Sequence, residues 1–183
     1  MDNSEFIQFL RKNNQNTQRG LLVFDVYGTL IPNYGFAKME PETINFLHQA
    51  KKKGYVLGLA TGSDDENMVK DILKSDGVEE LFSVIVTGKD NQSHAGRLMI
   101  AIKNAQKITE NGLRISEVFH FDDDYRRVHQ SKSLGVKHIM VCDDVNARAS
   151  LFGADFLINN FSNSERIFNF LAEKTAEKRK IKS

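Results

Sequence analysis

The sequence has one cysteine, two prolines, almost no net charge and no long apolar run. Each shortage excludes something. Cys142 alone cannot close an internal disulfide, so the chain must be held by its core rather than by covalent staples. Lys and Arg total 25 against 24 Asp and Glu, a formal charge of +1, which leaves no global field to recruit nucleic acid or an anionic membrane. The longest apolar pieces, such as LLVF and SVIV, are strand-sized and fall short of the roughly 20 residues that span a bilayer. Nothing at the N-terminus has the basic, apolar, small-residue order of a secretory signal, so the expectation is a cytoplasmic protein outside the membrane.

What is present fits one domain: 183 residues with 40% apolar content can bury a core unaided. Residues 1–19 are rich in Asn, Gln and charge and read as a polar lead-in, with Phe6, Ile7, Phe9 and Leu10 able to form one short amphipathic helix. Residues 173–183 read as a basic, solvated tail. The domain proper is 20–172, with no internal repeat and no linker.

Within it, short apolar runs alternate with helical patterns, as a parallel sheet covered by crossover helices requires. The runs are 21–25, 55–60, 83–87, 118–122, 137–142 and 155–159, and they predict six strands. Helices are expected after Pro41, with Ile44, Leu47 and Ala50 inward, and over Met68, Val69, Ile72 and Leu73, opened by a capping box from Ser63 to Glu66. Three more are expected over Leu98, Ile102, Ala105 and Ile108, over 128–134, and over Ile167, Phe168 and Leu171. The predicted architecture is a three-layer α/β/α fold with a mostly parallel sheet.

In such a sheet, ligands sit in the crevice at the carboxyl ends of the strands. The first strand ends in Asp25-Val-Tyr-Gly-Thr-Leu, the second in Ala60-Thr61-Gly62-Ser63, and the fourth in Asp122, Asp123 and Asp124. A carboxylate, a hydroxyl and an acidic cluster on strand ends suit a hard cation and a phosphate. Three aspartates opposite Asp25 would repel it unless a cation lay among them.

FDVYGTL, LATGS and FDDDYRR resemble the first, second and fourth motifs of the haloacid dehalogenase-like hydrolase superfamily, and FDDDYRRV followed by SLGVKHIMV is similar to its cap-less, magnesium-dependent phosphatase branch. The resemblance covers about residues 20–172 and implies a Rossmann-like fold without a cap domain. It implies an Mg²⁺-dependent phosphatase in which Asp25 attacks phosphorus, forms an aspartyl-phosphate and also binds the metal. The Tyr27 carbonyl and Asp123 would be further metal ligands, with Asp122 or Asp124 assisting. Thr61 and the backbone near Gly62 would bind the phosphoryl oxygens. Gly28 would permit the turn after the strand and Thr29 would brace it. The third-motif lysine has two stand-ins, Lys89 just after the third strand and Arg97 near the start of the next helix.

Two departures bear on function. Tyr27 occupies the position of the phosphatases' acid/base aspartate, and a phenol with a reference pKa of about 10 shuttles protons poorly at neutral pH. Tyrosine there is also what 2-haloacid dehalogenases carry, but residues 26–54 are too few for the helical cap of that branch. Arg127 falls where related sequences have Asn or Asp, and is expected to pair with one of the aspartates in preference to a substrate phosphate. The alternative to a slow phosphatase is therefore a non-catalytic metal- or phosphate-binding regulatory module.

His48, His94, His120, His129 and His138 show no zinc-binding spacing and read as surface or supporting residues. The aromatic residues are not interleaved with basic ones, so nucleic acid is not an expected partner. A phosphorylated small molecule or macromolecule is, and because an open site needs something to exclude water, the substrate itself or a second copy of the chain is the expected lid.

Overall fold

The computed structural model describes residues 19–32, 38–109, 112–142 and 153–177. The lead-in and its expected helix lie outside the described residues, as does the tail beyond 177. Six strands, β1 (Gly20–Phe24), β2 (Tyr55–Ala60), β3 (Phe82–Val86), β4 (Val118–Asp122), β5 (Lys137–Val141) and β6 (Phe156–Ile158), form one sheet in the order β3-β2-β1-β4-β5-β6. Every ladder between them is parallel. The order reverses direction at β1 and β4, which opens the crevice where ligands bind in doubly wound sheets.

The helices are α1 (Pro41–Lys52), α2 (Glu66–Ser75), α3 (His94–Ile108), α4 (Val128–Ser133) and α5 (Ser164–Glu177). None is long and apolar enough to cross a membrane. Pro41 opens α1, where its missing N–H costs nothing. Ser93 caps α3 by accepting from Gly96 N at 3.1 Å. The expected capping box at Ser63 is not formed. The cap of α2 is Asp65, which accepts from Met68 N at 3.0 Å, because the Ser63 carbonyl is bound to Gly88 N at 2.8 Å and the helix starts later.

Because side chains alternate along a strand, β1 and β4 each feed two different cores. Leu22 and Phe24 of β1, and Phe119 and Phe121 of β4, pack with α1, α2 and α5 into a large core that includes Phe46, Phe161 and Phe168. Leu21, Val23 and Val118 face the opposite way, where Leu98, Ala101, Ile102 and Ala105 of α3 cover them. Two expected core residues are outside both. Ile108, the last residue of α3, and Met68, in the first turn of α2, are exposed.

Candidate active site

β1 and β4 set the centre of the site. The backbone N–H of Asp25 donates to Phe121 O at 3.0 Å, which continues the β1–β4 ladder one residue past the strand and brings Asp25 beside Asp122. The chain then turns sharply: Val26 O accepts from Leu30 N at 2.9 Å and Ile31 N at 3.0 Å, while Gly28 adopts φ 82° and donates to Ile31 O at 2.7 Å. A left-handed conformation of this kind is what glycine supplies without strain. Thr29 also reaches the loop after β4, where its hydroxyl donates to Asp123 Oδ1 at 3.4 Å.

Asp25 and Asp122 are buried, at 5% and 0% exposure. A single guanidinium nitrogen joins them: Arg127 Nη1 lies 2.9 Å from Asp122 Oδ2 and 3.2 Å from Asp25 Oδ2. This is the ion pair expected of Arg127. Asp122 Oδ1 accepts from Asp124 N at 2.8 Å, but Asp25 Oδ1 is buried with no hydrogen-bond partner among the described residues. Burial and the neighbouring Asp25 charge push the Asp122 carboxyl up to about 8, with Arg127 opposing. Burial likewise raises Asp25 against the pull of Arg127. Asp124 is held below the usual carboxylate range, chiefly by hydrogen bonds from Arg126, whose Nε and Nη2 engage its two oxygens at 2.8 Å each.

Opposite this group stands the loop after β2. Thr61 is buried, its N–H donates to Val86 O at 3.0 Å, and its hydroxyl accepts from Ser63 N at 3.4 Å. The loop after β3 packs so closely here that a Cβ on Gly88 would lie 2.7 Å from Gly62 O. Of the two stand-ins for a third-motif cation, Lys89 is exposed and does not line the cleft. Arg97 is 5% exposed and sits under Gly62, with Nη1 donating to Asn91 O at 3.0 Å and Gln92 O at 2.8 Å. Those two carbonyls hold its head beneath the loop after β2.

Asp25, Tyr27, Thr61, Gly62, Ser63, Asp123, Asp124 and residues 125–127 line one open cleft of about 490 Å³. The Tyr27 hydroxyl is buried without a partner among the described residues, and burial raises its pKa further above that of a free phenol. The phenol therefore stays protonated at neutral pH. Asp25, Asp122 and Asp123 each present an oxygen within 4.8 Å of the others. An all-oxygen donor set from three carboxylates suits a hard divalent cation such as Mg²⁺. Asp124 is outside that grouping, because Arg126 occupies both of its oxygens.

The histidines divide in a way that sequence spacing conceals. His48 and His129 are exposed, whereas His94, His120 and His138 are buried directly behind Asp122. The Ser131 hydroxyl lies between the Nδ1 atoms of His120 and His138, at 3.1 and 3.2 Å, and His120 Nε2 is 3.5 Å from Asp122 Oδ2. Burial keeps His94 and His138 neutral, pushed down to about 3 and about 4. The signal was in the period of β4. In VFHFD, His120 and Asp122 alternate with two phenylalanines and so share a face.

Comparison with known proteins adds the family. Among solved structures, a haloacid dehalogenase-like hydrolase from Streptococcus pneumoniae is 13% identical, with a TM-score of 0.65 over 84% of this chain and 99% of its own. A HAD phosphatase from Thermococcus onnurineus is 20% identical, with a TM-score of 0.59 over 72% of this chain and 59% of its own. CbbY from Rhodobacter sphaeroides, solved with xylulose-(1,5)-bisphosphate, is 14% identical, with a TM-score of 0.63 over 78% and 95%. At these identities the likeness shows a shared fold. No curated protein matches the sequence. The model of the family described as haloacid dehalogenase-like hydrolase matches residues 5–141, most of the domain and all of the site through Arg127, and the chain belongs to that family.

Proposed function

We propose that this hydrolase acts on a phosphate monoester through an aspartyl-phosphate on Asp25. The observation that carries the reading is the Asp25 carboxylate: the residue lines the cleft, one oxygen is held by a cation, and the other is buried with no hydrogen-bond partner among the described residues. An oxygen with no competing hydrogen bond keeps its lone pairs for a bond to phosphorus. Asp25 Oδ1 would form a bond to phosphorus as the bond from phosphorus to the leaving oxygen breaks, and water would then cleave the acyl phosphate and restore Asp25. Thr61 and the N–H groups of the Gly62 loop would bind the phosphoryl oxygens, with Arg97 beneath that loop. Asp25, Asp122 and Asp123 would hold Mg²⁺, which when bound supplies positive charge to the phosphoryl group.

Tyr27 makes the proton balance unfavourable. The leaving oxygen departs with an electron pair and needs a proton that this phenol does not readily give, so turnover is slow on alkyl phosphates and easier on aryl phosphates. The same feature supports a second reading, in which the chain is a phosphate-binding regulatory module that has lost turnover. The cleft is open, so the substrate or a second copy of the chain serves as its lid, and the compartment proposed is the cytoplasm.

The test is hydrolysis of an aryl phosphate in Mg²⁺ by wild type, Asp25→Asn and Tyr27→Asp. Turnover that vanishes in Asp25→Asn, and rises on alkyl phosphates by about 10²-fold or more in Tyr27→Asp, supports the enzyme. A wild type silent even on an aryl phosphate, with activity appearing only in Tyr27→Asp, overturns it in favour of the binding module.

A further inference from the structure

We propose that Arg127 is a tethered cation of the Asp25 site, which pairs Asp25 with Asp122 without a metal, gives phosphate a metal-free foothold, and competes with divalent metal for the same two oxygens. The proposal rests on reading the cleft as a phosphoryl site, but not on turnover.

Geometry sets up the competition. Nη1 of Arg127 is 3.2 Å from Asp25 Oδ2 and 2.9 Å from Asp122 Oδ2, so its charge already occupies one side of that oxygen pair. A divalent cation taking the same oxygens would meet that charge at close range, so each binds at the other's expense.

Arg127 is also built to stay. Its N–H donates to Asp124 O at 2.9 Å and its carbonyl accepts from the Ser131 hydroxyl at 3.2 Å, which pins the backbone on both sides of the residue. Its Nε faces Asp124 Oδ2 at 3.5 Å. A guanidinium stays charged at every accessible pH, so Arg127 supplies a fixed positive charge beside the two carboxyl groups.

One edge of the guanidinium remains for a ligand. Its contacts with Asp25, Asp122 and Asp124 run through Nη1 and Nε, the side chain is 23% exposed, and it lines the same cleft as Thr61 and Gly62. An arginine so placed offers phosphate charge-assisted hydrogen bonds from a fixed planar donor. The Asp25 carboxylate next to it is screened by the same Nη1, which lowers the repulsion a phosphate would otherwise meet.

The test measures binding with the full chain. Inorganic phosphate is titrated in EDTA, and Mg²⁺ is titrated without phosphate, by calorimetry and thermal melting, into wild type, Arg127→Asn, Arg127→Lys and Arg126→Ala. In wild type, phosphate binds and raises the melting temperature without metal; Arg127→Asn loses that response and binds Mg²⁺ about ten-fold or more tightly than wild type. Should Arg127→Asn fail to fold, Arg127→Lys decides, with weakened phosphate binding in EDTA and tightened Mg²⁺ binding.

Three results overturn the proposal: phosphate binding that appears only with Mg²⁺, Mg²⁺ affinity unchanged by either Arg127 substitution, or a metal-free phosphate response abolished by Arg126→Ala and spared by Arg127→Asn. Unchanged Mg²⁺ affinity with normal turnover would sink this inference and leave the hydrolase reading intact. The expected binding pattern with no hydrolysis would do the reverse.

Discussion

The two faces of the sheet are made of different materials. Under α1, α2 and α5 the core is aromatic and dry: Phe24 stacks on Phe121 with ring centroids 4.7 Å apart, and Phe46 contacts Phe161 at 4.8 Å and Phe168 at 5.0 Å. Under α3 and α4 the core is aliphatic and smaller, and a polar seam of Asp25, Asp122, His120, Ser131 and His138 runs through it. The strands are common to both, so alternate residues of β1 and β4 serve opposite purposes. One side supplies packing energy, and the other spends part of it holding charged and polar groups away from water, where the chemistry needs them.

That contrast makes unequal predictions. Phe46→Ala should be the most damaging substitution, removing a fully buried ring from the centre of the aromatic cluster and costing about 3–5 kcal/mol in urea unfolding. A loss below about 1 kcal/mol would mean that the aromatic face is not the main source of stability. The polar face should reveal itself in acid. His138 is pushed down from 6.5 to about 4 in the folded state. Between those values the unfolded chain takes up a proton that the native chain refuses, so stability falls as pH drops from about 6.5 toward 4 and does not respond to His138 above that window. Wild type should lose on the order of 2 kcal/mol more than His138→Gln between about pH 7 and pH 4.5. Parallel pH curves for the two proteins would refute neutral burial of this ring. The smallest effect is expected of Ser131→Ala, which leaves two imidazole nitrogens without their shared hydroxyl and costs about 1–2 kcal/mol in the same unfolding assay.

The sequence exposes the aromatic half more readily than the polar half. All six strands and the inward stripe of α1 follow from alternation and helical period, because burial on both faces of a parallel sheet demands long apolar runs. Asp25, Thr61 and Asp122 are visible for a related reason: they stand at strand ends, just where those runs stop. The burial of Arg97 is harder to read than the exposure of Lys89, since the rule that charge lies outside hides a buried arginine. The α3 stripe extended back through Arg97 to His94 marks both as inward. His138 gave no warning at all, for its ring is placed by Ser131 and His120, contacts between α4, β4 and β5 that no local pattern encodes. The late start of α2 has the same origin, a bond from Gly88 on a different loop.

The pairing of β1 with β4 also sets a timetable. Asp25 leaves the ribosome early, but its neighbours Asp122 and Arg127 follow only after α1, β2, α2, β3 and α3 have been made, and the β1–β4 ladder closes a long loop, the kind of contact that forms slowly. Until then Asp25 has neither its buried neighbour nor its counter-charge. A nascent chain that stops before β4 therefore carries Asp25 without Asp122, Asp123 or Arg127, and the site is assembled only once β4 and the turn after it have been made.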